Sequence, residues 1–273
     1  MDRPMRRFFL SLLLTVLCGS SLFSQNSASQ DSLQHLKYTF PQFGRETWDF
    51  IKQPTKWDGS DWLKIGLIGA GTFLVMETAD QPVRDAVLKN QQYYKSVPIE
   101  FGRMCGELYA PVVLFGGFAL HSLLTDDIRT RKIAYEIGQA SLYAGAVTYI
   151  LKLAIGRARP YMEEGKSSFH PFSSLISQDY HSIPGGHVTA GFVLSTVLSR
   201  NAEPVWLKVL AYLPVALTIV SRVYQDKHWT SDEFFGAALG YFIATWVVDQ
   251  HENSKSIGEI SSVYPLSIKI ALN

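Results

Sequence analysis

Cysteine is scarce in this 273-residue chain, with only Cys18 and Cys105, too few for the disulfide framework that staples small secreted folds. An excess of one charge is missing too: 25 Lys and Arg face 24 Asp and Glu, for a formal net charge of +1. That excludes the basic footprint by which proteins hold nucleic acid, and no nucleic-acid partner is expected. Charged residues make up only 18% of the chain against 47% hydrophobic, whereas an average soluble chain has about 25% charged. Strand-like alternation of apolar and polar residues is lacking, as is any internal repeat.

What is present is a series of apolar runs. Residues 1–24 read as a signal peptide: "MDRPMRR" is a basic start, "FFLSLLLTVL" an apolar stretch, and "CGSSLFSQ" supplies small residues for cleavage. Residues 25–56 are mixed and polar, a lead-in or linker. Within 57–252 lie six uncharged apolar runs: Ile65–Met76, Leu108–Thr125, Ile137–Leu151, Ile183–Ser199, Val209–Ser221 and Phe234–Val248. Residues 253–273 form a C-terminal tail. Runs of 12 to 18 residues are helix lengths, and small residues in "GLIGAG", "FGGFAL" and "GAALG" allow close helix packing. The expected fold is all-α, a bundle of about six core helices. A span wants about 20 apolar residues, with a lower limit near 17. A membrane-embedded bundle is expected, with a soluble periplasmic bundle as the alternative.

Polar residues cluster at the ends of three of these runs. "KLAIGRARP" places Lys152, Arg157 and Arg159 at the end of the third. "IPGGHVTAGF" opens the fourth, with Gly185 and Gly186 exposing backbone N–H groups where a helix start attracts anions. "SRVYQDKHWTSD" joins the last two runs and holds Arg222, His228 and Asp232. Thr230 and Glu233 have the T-x-x-E spacing of a capping box, so a helix is expected to start near Thr230. His228 then lies just before it and Asp232 in its first turn, where the carboxylate can fix the imidazole tautomer and leave the other ring nitrogen free to attack.

Together these stretches resemble the three signature motifs of the type 2 phosphatidic acid phosphatase (PAP2) and vanadium haloperoxidase superfamily: K-x6-R-P, P-S-G-H and S-R-x5-H-x3-D. Lys152, Arg159 and Pro160 match the first, Pro184, Gly186 and His187 the second, and Ser221, Arg222, His228 and Asp232 the third. The resemblance extends over roughly residues 62 to 250. It implies a PAP2-like fold and a phosphatase acting on a lipid phosphate or pyrophosphate such as phosphatidate, a polyprenyl pyrophosphate or a lipid A phosphate. It also implies roles. Lys152, Arg159 and Arg222, with the Gly185 and Gly186 backbone, bind phosphate. His228 attacks phosphorus to give a phosphohistidine, Asp232 orients it, and His187 is acid and then base. Three fixed cations make a divalent metal unnecessary, and no cofactor is implied beyond vanadate as a phosphate mimic. The departure is Gly185 where the family usually has serine. A glycine leaves room there, and restoring the hydroxyl is expected to tighten phosphate binding. A vanadium-dependent haloperoxidase and a non-catalytic envelope binding or scaffold protein stay open as alternatives. The location implied is the inner membrane of a bacterial-type envelope, with the site toward the periplasm. Among the remaining histidines, His121 reads as a core or interface residue, His170 and His181 as within reach of substrate, and His35 and His251 as surface residues.

Overall fold

A computed structural model describes residues 38–173 and 177–252; the signal-peptide and tail segments expected at 1–24 and 253–273 lie outside the described residues. Each apolar run lies within a helix or shares most of its length with one. We number the helices α1 (Phe40–Ile51), α2 (Gly59–Thr78), α3 (Asp80–Leu88), α4 (Val97–Cys105), α5 (Tyr109–Thr125), α6 (Ile128–Ile155), α7 (Gly186–Asn201), α8 (Val205–Leu210), α9 (Leu213–Tyr224) and α10 (Thr230–Glu252). No strand occurs among the described residues, only an isolated bridge between Arg157 and Phe169.

The core lies among α5, α6, α7 and α10. Leu114 and Phe118, Ile133 and Ile137, Val193 and Val197, and Val247 and Val248 form one buried cluster. The closest packing pairs are α7 with α10, α4 with α9 and α5 with α6. Small residues make these approaches possible. A Cβ on Gly102 in α4 would lie 2.7 Å from the Leu217 carbonyl carbon in α9, so only glycine allows that crossing. Gly156 ends α6 at φ 61°, a left-handed conformation that favours glycine.

Three findings differ from the sequence reading. Residues 40–51, expected within a linker, form α1, which packs Phe43 and Phe50 against the core. Its apolar spacing at Phe40, Phe43 and Phe50 is helical, but its polar composition hides the pattern. Helix α6 runs well beyond its apolar core, because charged residues in its first turns pack inside the molecule: Lys132 and Glu136 are both buried. And α3 and α4, too polar to register as apolar runs, are helices that hold the site from outside.

The stretch 205–224, comprising α8 and α9, is long and apolar enough to cross a membrane; the number is up to three among the described residues if two bent pairs, α2 with α3 and α4 with α5, each form one span. Exposed apolar side chains gather on the same elements. Helix α2 has no buried residue and presents Leu63, Leu67, Phe73 and Leu74, while α8 and α9 present Trp206, Val209, Leu213 and Val220.

Candidate active site

The end of α6, the start of α7 and the α9–α10 junction converge, which brings all three sequence motifs to one end of the bundle. Lys152, in the last turn of α6, is buried and directs its ammonium at the carbonyls of His181 and Pro184, each at 2.5 Å, with Ser182 O at 3.4 Å. It thereby holds the loop that leads into α7. The Ile183–Pro184 bond in that loop is cis. Gly185 is the N-cap of α7 and donates its N–H to Asp232 O at 2.9 Å. No side chain among the described residues caps the helix, and the amides of its first turn follow directly at Gly186 and His187.

His228 is 3% exposed. Its Nδ1 lies 2.8 Å from the Ser182 carbonyl oxygen, which can only accept, so Nδ1 carries the proton and Nε2 the lone pair. This corrects the expected partner. Asp232 Oδ2 is 3.8 Å from Nδ1 and instead takes hydrogen bonds from Ser182 Oγ at 2.5 Å and the Trp229 N–H at 2.9 Å. Asp232 therefore holds the loop whose carbonyl holds His228. Burial, then the charges of Arg159, Lys152 and Arg222, hold the His228 imidazole well below the usual histidine range. It is a neutral base at neutral pH.

The ring of His187, in the first turn of α7, has its centroid 6.4 Å from that of His228. Its Nε2 lies 3.6 Å from Glu107 Oε1. Burial lowers the His187 pKa, and Glu107 pulls the other way without reversing the shift. Arg159 donates to Gln178 O at 3.1 Å, and Arg222 donates from NH1 to Gln225 Oε1 at 3.0 Å, leaving its buried Nε with no partner among the described residues. A cleft of about 510 Å³ is walled by Arg103, Glu107, Arg159, His187, Arg222 and Lys227, among others. An anion entering it meets three arginines and a lysine, with Glu100 and Glu107 on the same wall.

Asp80 and Glu107 escape sequence reasoning, and Arg157 and Glu233, named in it, take roles it did not give them. Arg157, fully buried, donates to Asp232 Oδ1 at 2.6 Å, to Ser231 Oγ at 2.7 Å and to Asp80 Oδ2 at 2.7 Å. It is a brace and lies apart from the cleft wall. Asp80, from the start of α3, also accepts from the Ser231 N–H at 2.8 Å. Glu107 reaches His187 from the α4–α5 turn. Glu233 does not form the expected capping box. Trp229 N–H bonds to Asp232 instead, and both Glu233 carboxyl oxygens and Thr230 Oγ1 are buried without a partner among the described residues. Asp232, three residues after Trp229, has taken the reciprocal capping position. The room expected at Gly185 is not empty either: a Cβ there would lie 2.8 Å from Glu233 Cδ and closer still to its Oε2.

Of the other histidines, His251 departs from expectation. His170 pairs with Glu164 at 2.8 Å. His181 contributes its carbonyl to Lys152 and sets its ring edge-on to Tyr149. His121 bonds Thr130 Oγ1 at 3.3 Å. His251 is not a surface residue: it is 1% exposed and pairs with Glu136 at 3.1 Å and Glu46 at 3.4 Å. Among the described residues no group of three or more His, Cys, Asp or Glu side chains is arranged to hold a metal ion.

Comparison with known proteins agrees with the motif reading. The chain is 30% identical over 138 residues to "Probable lipid phosphate phosphatase 4" of Arabidopsis thaliana, covering 40% of this chain and 44% of that one. It is 30% identical over 154 residues to "Lipid A 1-phosphatase" of Rhizobium johnstonii, covering 51% of this chain and 59% of that one. The chain thus spans about half the length of these curated relatives. A solved transmembrane PAP2 type phosphatidylglycerolphosphate phosphatase from Bacillus subtilis superposes with a TM-score of 0.45 at 15% identity, over 68% of this chain and 94% of that one. The family model of the PAP2 superfamily matches residues 136–256, a segment that contains Lys152, Arg159, His187, Arg222, His228 and Asp232 and excludes Asp80 and Glu107. Over that segment, the chain is similar to the PAP2 superfamily.

Proposed function

We propose that this chain is a phosphatase that hydrolyses a phosphomonoester or pyrophosphate carried by a lipid, with His228 as the nucleophile. The observation that carries the reading is the His228 tautomer: Nδ1–H is bound to the Ser182 carbonyl, and the Nε2 lone pair is left to attack. In the first step Nε2 forms a bond to phosphorus while the bond from phosphorus to the leaving oxygen breaks. The His187 imidazolium, stabilised by Glu107, gives its proton to that oxygen. In the second step His187 takes a proton from water, the water oxygen bonds to phosphorus, and the P–N bond breaks. Inorganic phosphate and neutral His228 result. Arg159, Arg222 and Lys152 offset the charge on the phosphoryl oxygens, the main catalytic demand in phosphoryl transfer. The amides at the start of α7 add to that field. Asp232 acts at one remove, by fixing Ser182 and stabilising the phosphohistidine cation. With three protein cations at the site, no metal has a step to perform.

The lipid assignment rests on the functions named for the similar proteins and on the exposed apolar faces of α2 and α8–α9. We read 205–224 as the segment that enters the bilayer, with Arg222 at its end, and the location as the cell envelope with the site on the non-cytoplasmic side. The test is phosphate release by purified protein from a panel of phosphatidate, polyprenyl pyrophosphate, a lipid A phosphate and a soluble phosphate ester, with acid-labile phosphohistidine trapped in the same reaction. Turnover of a lipid member with the label on His228 supports the reading. Turnover of none, or a label elsewhere, overturns it.

A further inference from the structure

The carboxyl of Glu233 is an unusual group to find where it is. It sits in the first turn of α10, is 1% exposed, and has neither oxygen bonded to any described protein group. An ionised carboxylate left this way costs several kcal/mol, on the order of a lost charged hydrogen bond or more. A structural role would be expected to supply a donor, and the Trp229 N–H at the start of the same helix is given to Asp232. The side chain instead turns toward Gly185, the N-cap of α7, and fills the space that any Cβ there would need. It interacts electrostatically with Arg222 and Lys152. Arg222 in turn has a buried Nε without a partner among the described residues. Two buried groups with unused hydrogen-bonding capacity thus stand near one helix N-terminus and one pair of cations. The ligand that would satisfy them bears oxygens and negative charge.

We propose that Glu233 is a phosphoryl-binding residue, entering the site as a neutral carboxylic acid through the gap left by Gly185 and donating its O–H to a phosphoryl oxygen. The proposal rests on the phosphatase reading above and names a contact for that same site. Burial first, and then the Asp232 carboxylate beside it, raise the Glu233 pKa to about 8, so the donor form is present at neutral pH. The anion could not serve: it would oppose the phosphate it faces. Gly185 and Glu233 then act as one unit, the first supplying room and the second the polar atom. The expectation that serine at 185 tightens phosphate binding is reversed, because its Cβ would force the Glu233 carboxyl out of its place.

The test compares four variants with wild type in two readouts: kcat/KM on the best substrate of the panel, and the rise in melting temperature caused by inorganic phosphate. Glu233→Ala removes volume and the donor without adding a clash; it is expected to lose about 10- to 100-fold in kcat/KM, the size of one hydrogen bond to a charged group, and most of the phosphate-induced stabilisation. Glu233→Gln keeps a neutral donor and is expected to lose less than about a third of that on a logarithmic scale. Gly185→Ser is expected to fall about as far as Glu233→Ala. The double variant Gly185→Ser with Glu233→Ala is expected to recover part of the loss of either single change, a coupling that independent sites do not show. Wild-type activity with Glu233→Ala within about threefold of it would overturn the inference alone, as would Glu233→Gln falling as far as Glu233→Ala. A wild-type protein with neither turnover nor phosphate-induced stabilisation overturns the phosphatase reading, and this inference with it.

Discussion

His228 and His251 stand at opposite ends of α10, nearly equally buried, and their surroundings push them in opposite directions. His228 faces Lys152, Arg159 and Arg222, and these cations add to the effect of burial in keeping it neutral. Burial also acts against a charge on His251, but hydrogen bonds to Glu136 and Glu46 outweigh it and raise its pKa above the usual histidine value. The partners of His251 are themselves well tied: Glu46 accepts from Gln42 at 2.9 Å, Gln139 at 2.8 Å and Tyr135 at 2.9 Å, and Glu136 from Asn201 at 2.6 Å. Unpartnered polar atoms occur in both places among the described residues: those of Arg222 and Glu233 near His228, and the Tyr38 hydroxyl and Gln139 Oε1 near His251. A buried histidine is therefore not informative by itself. What separates the two is the sign of the charge around each.

The comparison can be broken most directly by removing each histidine. His228→Ala is expected to lower kcat by about 10³-fold or more, as for loss of a nucleophile, with an unchanged circular dichroism spectrum. His251→Ala is expected to keep kcat within about threefold of wild type while its urea midpoint falls. Equal losses of turnover in both would erase the distinction. Next in size is the brace beneath the site. Arg157→Ala leaves Asp80 and Asp232 buried without their cation, and unfolding in urea is expected to show a destabilisation of about 3–5 kcal/mol.

The pH dependence sharpens the contrast. The folded-state pKa of His251 is raised, so its stabilising contribution is whole below about pH 6.5 and is lost as pH rises through the folded value. The stability gap between wild type and His251→Ala should then narrow from pH 5.5 to pH 8. For His228 the folded-state pKa is depressed. Its cost is absent above about pH 6.5 and grows as pH falls below that value. The difference curve for His228→Ala should therefore run the opposite way, and parallel curves would show that the two environments are not opposed. A smaller effect is expected at Glu107→Gln. Without the carboxylate, the His187 imidazolium loses a stabilising partner, and the alkaline limb of the kcat profile should move to lower pH by about half to one unit. The smallest effect is none: chelation by EDTA is expected to leave turnover unchanged. Loss restored by magnesium would mean the cations of the site do not suffice.

The residues grouped around His228 were legible in the sequence because their spacing is fixed by helix ends: Lys152 and Arg159 close one helix, Gly186 and His187 open another, and Arg222, His228 and Asp232 join two more. Their supports were not. Asp80 and Glu107 come from α3 and from the turn after α4, and nothing local marks a carboxylate as destined for a partner 77 residues away. The spacing of Thr230 and Glu233 fits a cap, but the box forms one residue earlier, with Asp232 accepting from the Trp229 N–H, which only the three-dimensional arrangement reveals. His251 read as a surface residue because it lies past the last apolar run; α1, hidden in a polar stretch, is what covers it. Helix boundaries were least legible in α6, where Lys132 and Glu136 pair inside the molecule at 3.5 Å and so extend a buried helix with charged residues.

The position of Asp80 has a consequence for modularity. The segment matched by the family, 136–256, begins well after it, yet Asp80 meets Arg157 and both the backbone and the hydroxyl of Ser231, at the root of the loop that carries His228. A fragment cut at the family boundary would leave a guanidinium buried with one carboxylate instead of two and an amide with no acceptor. The unit that keeps this site intact is accordingly larger than the segment the family model matches, and any transplant or truncation that aims to preserve the site must begin upstream of α3.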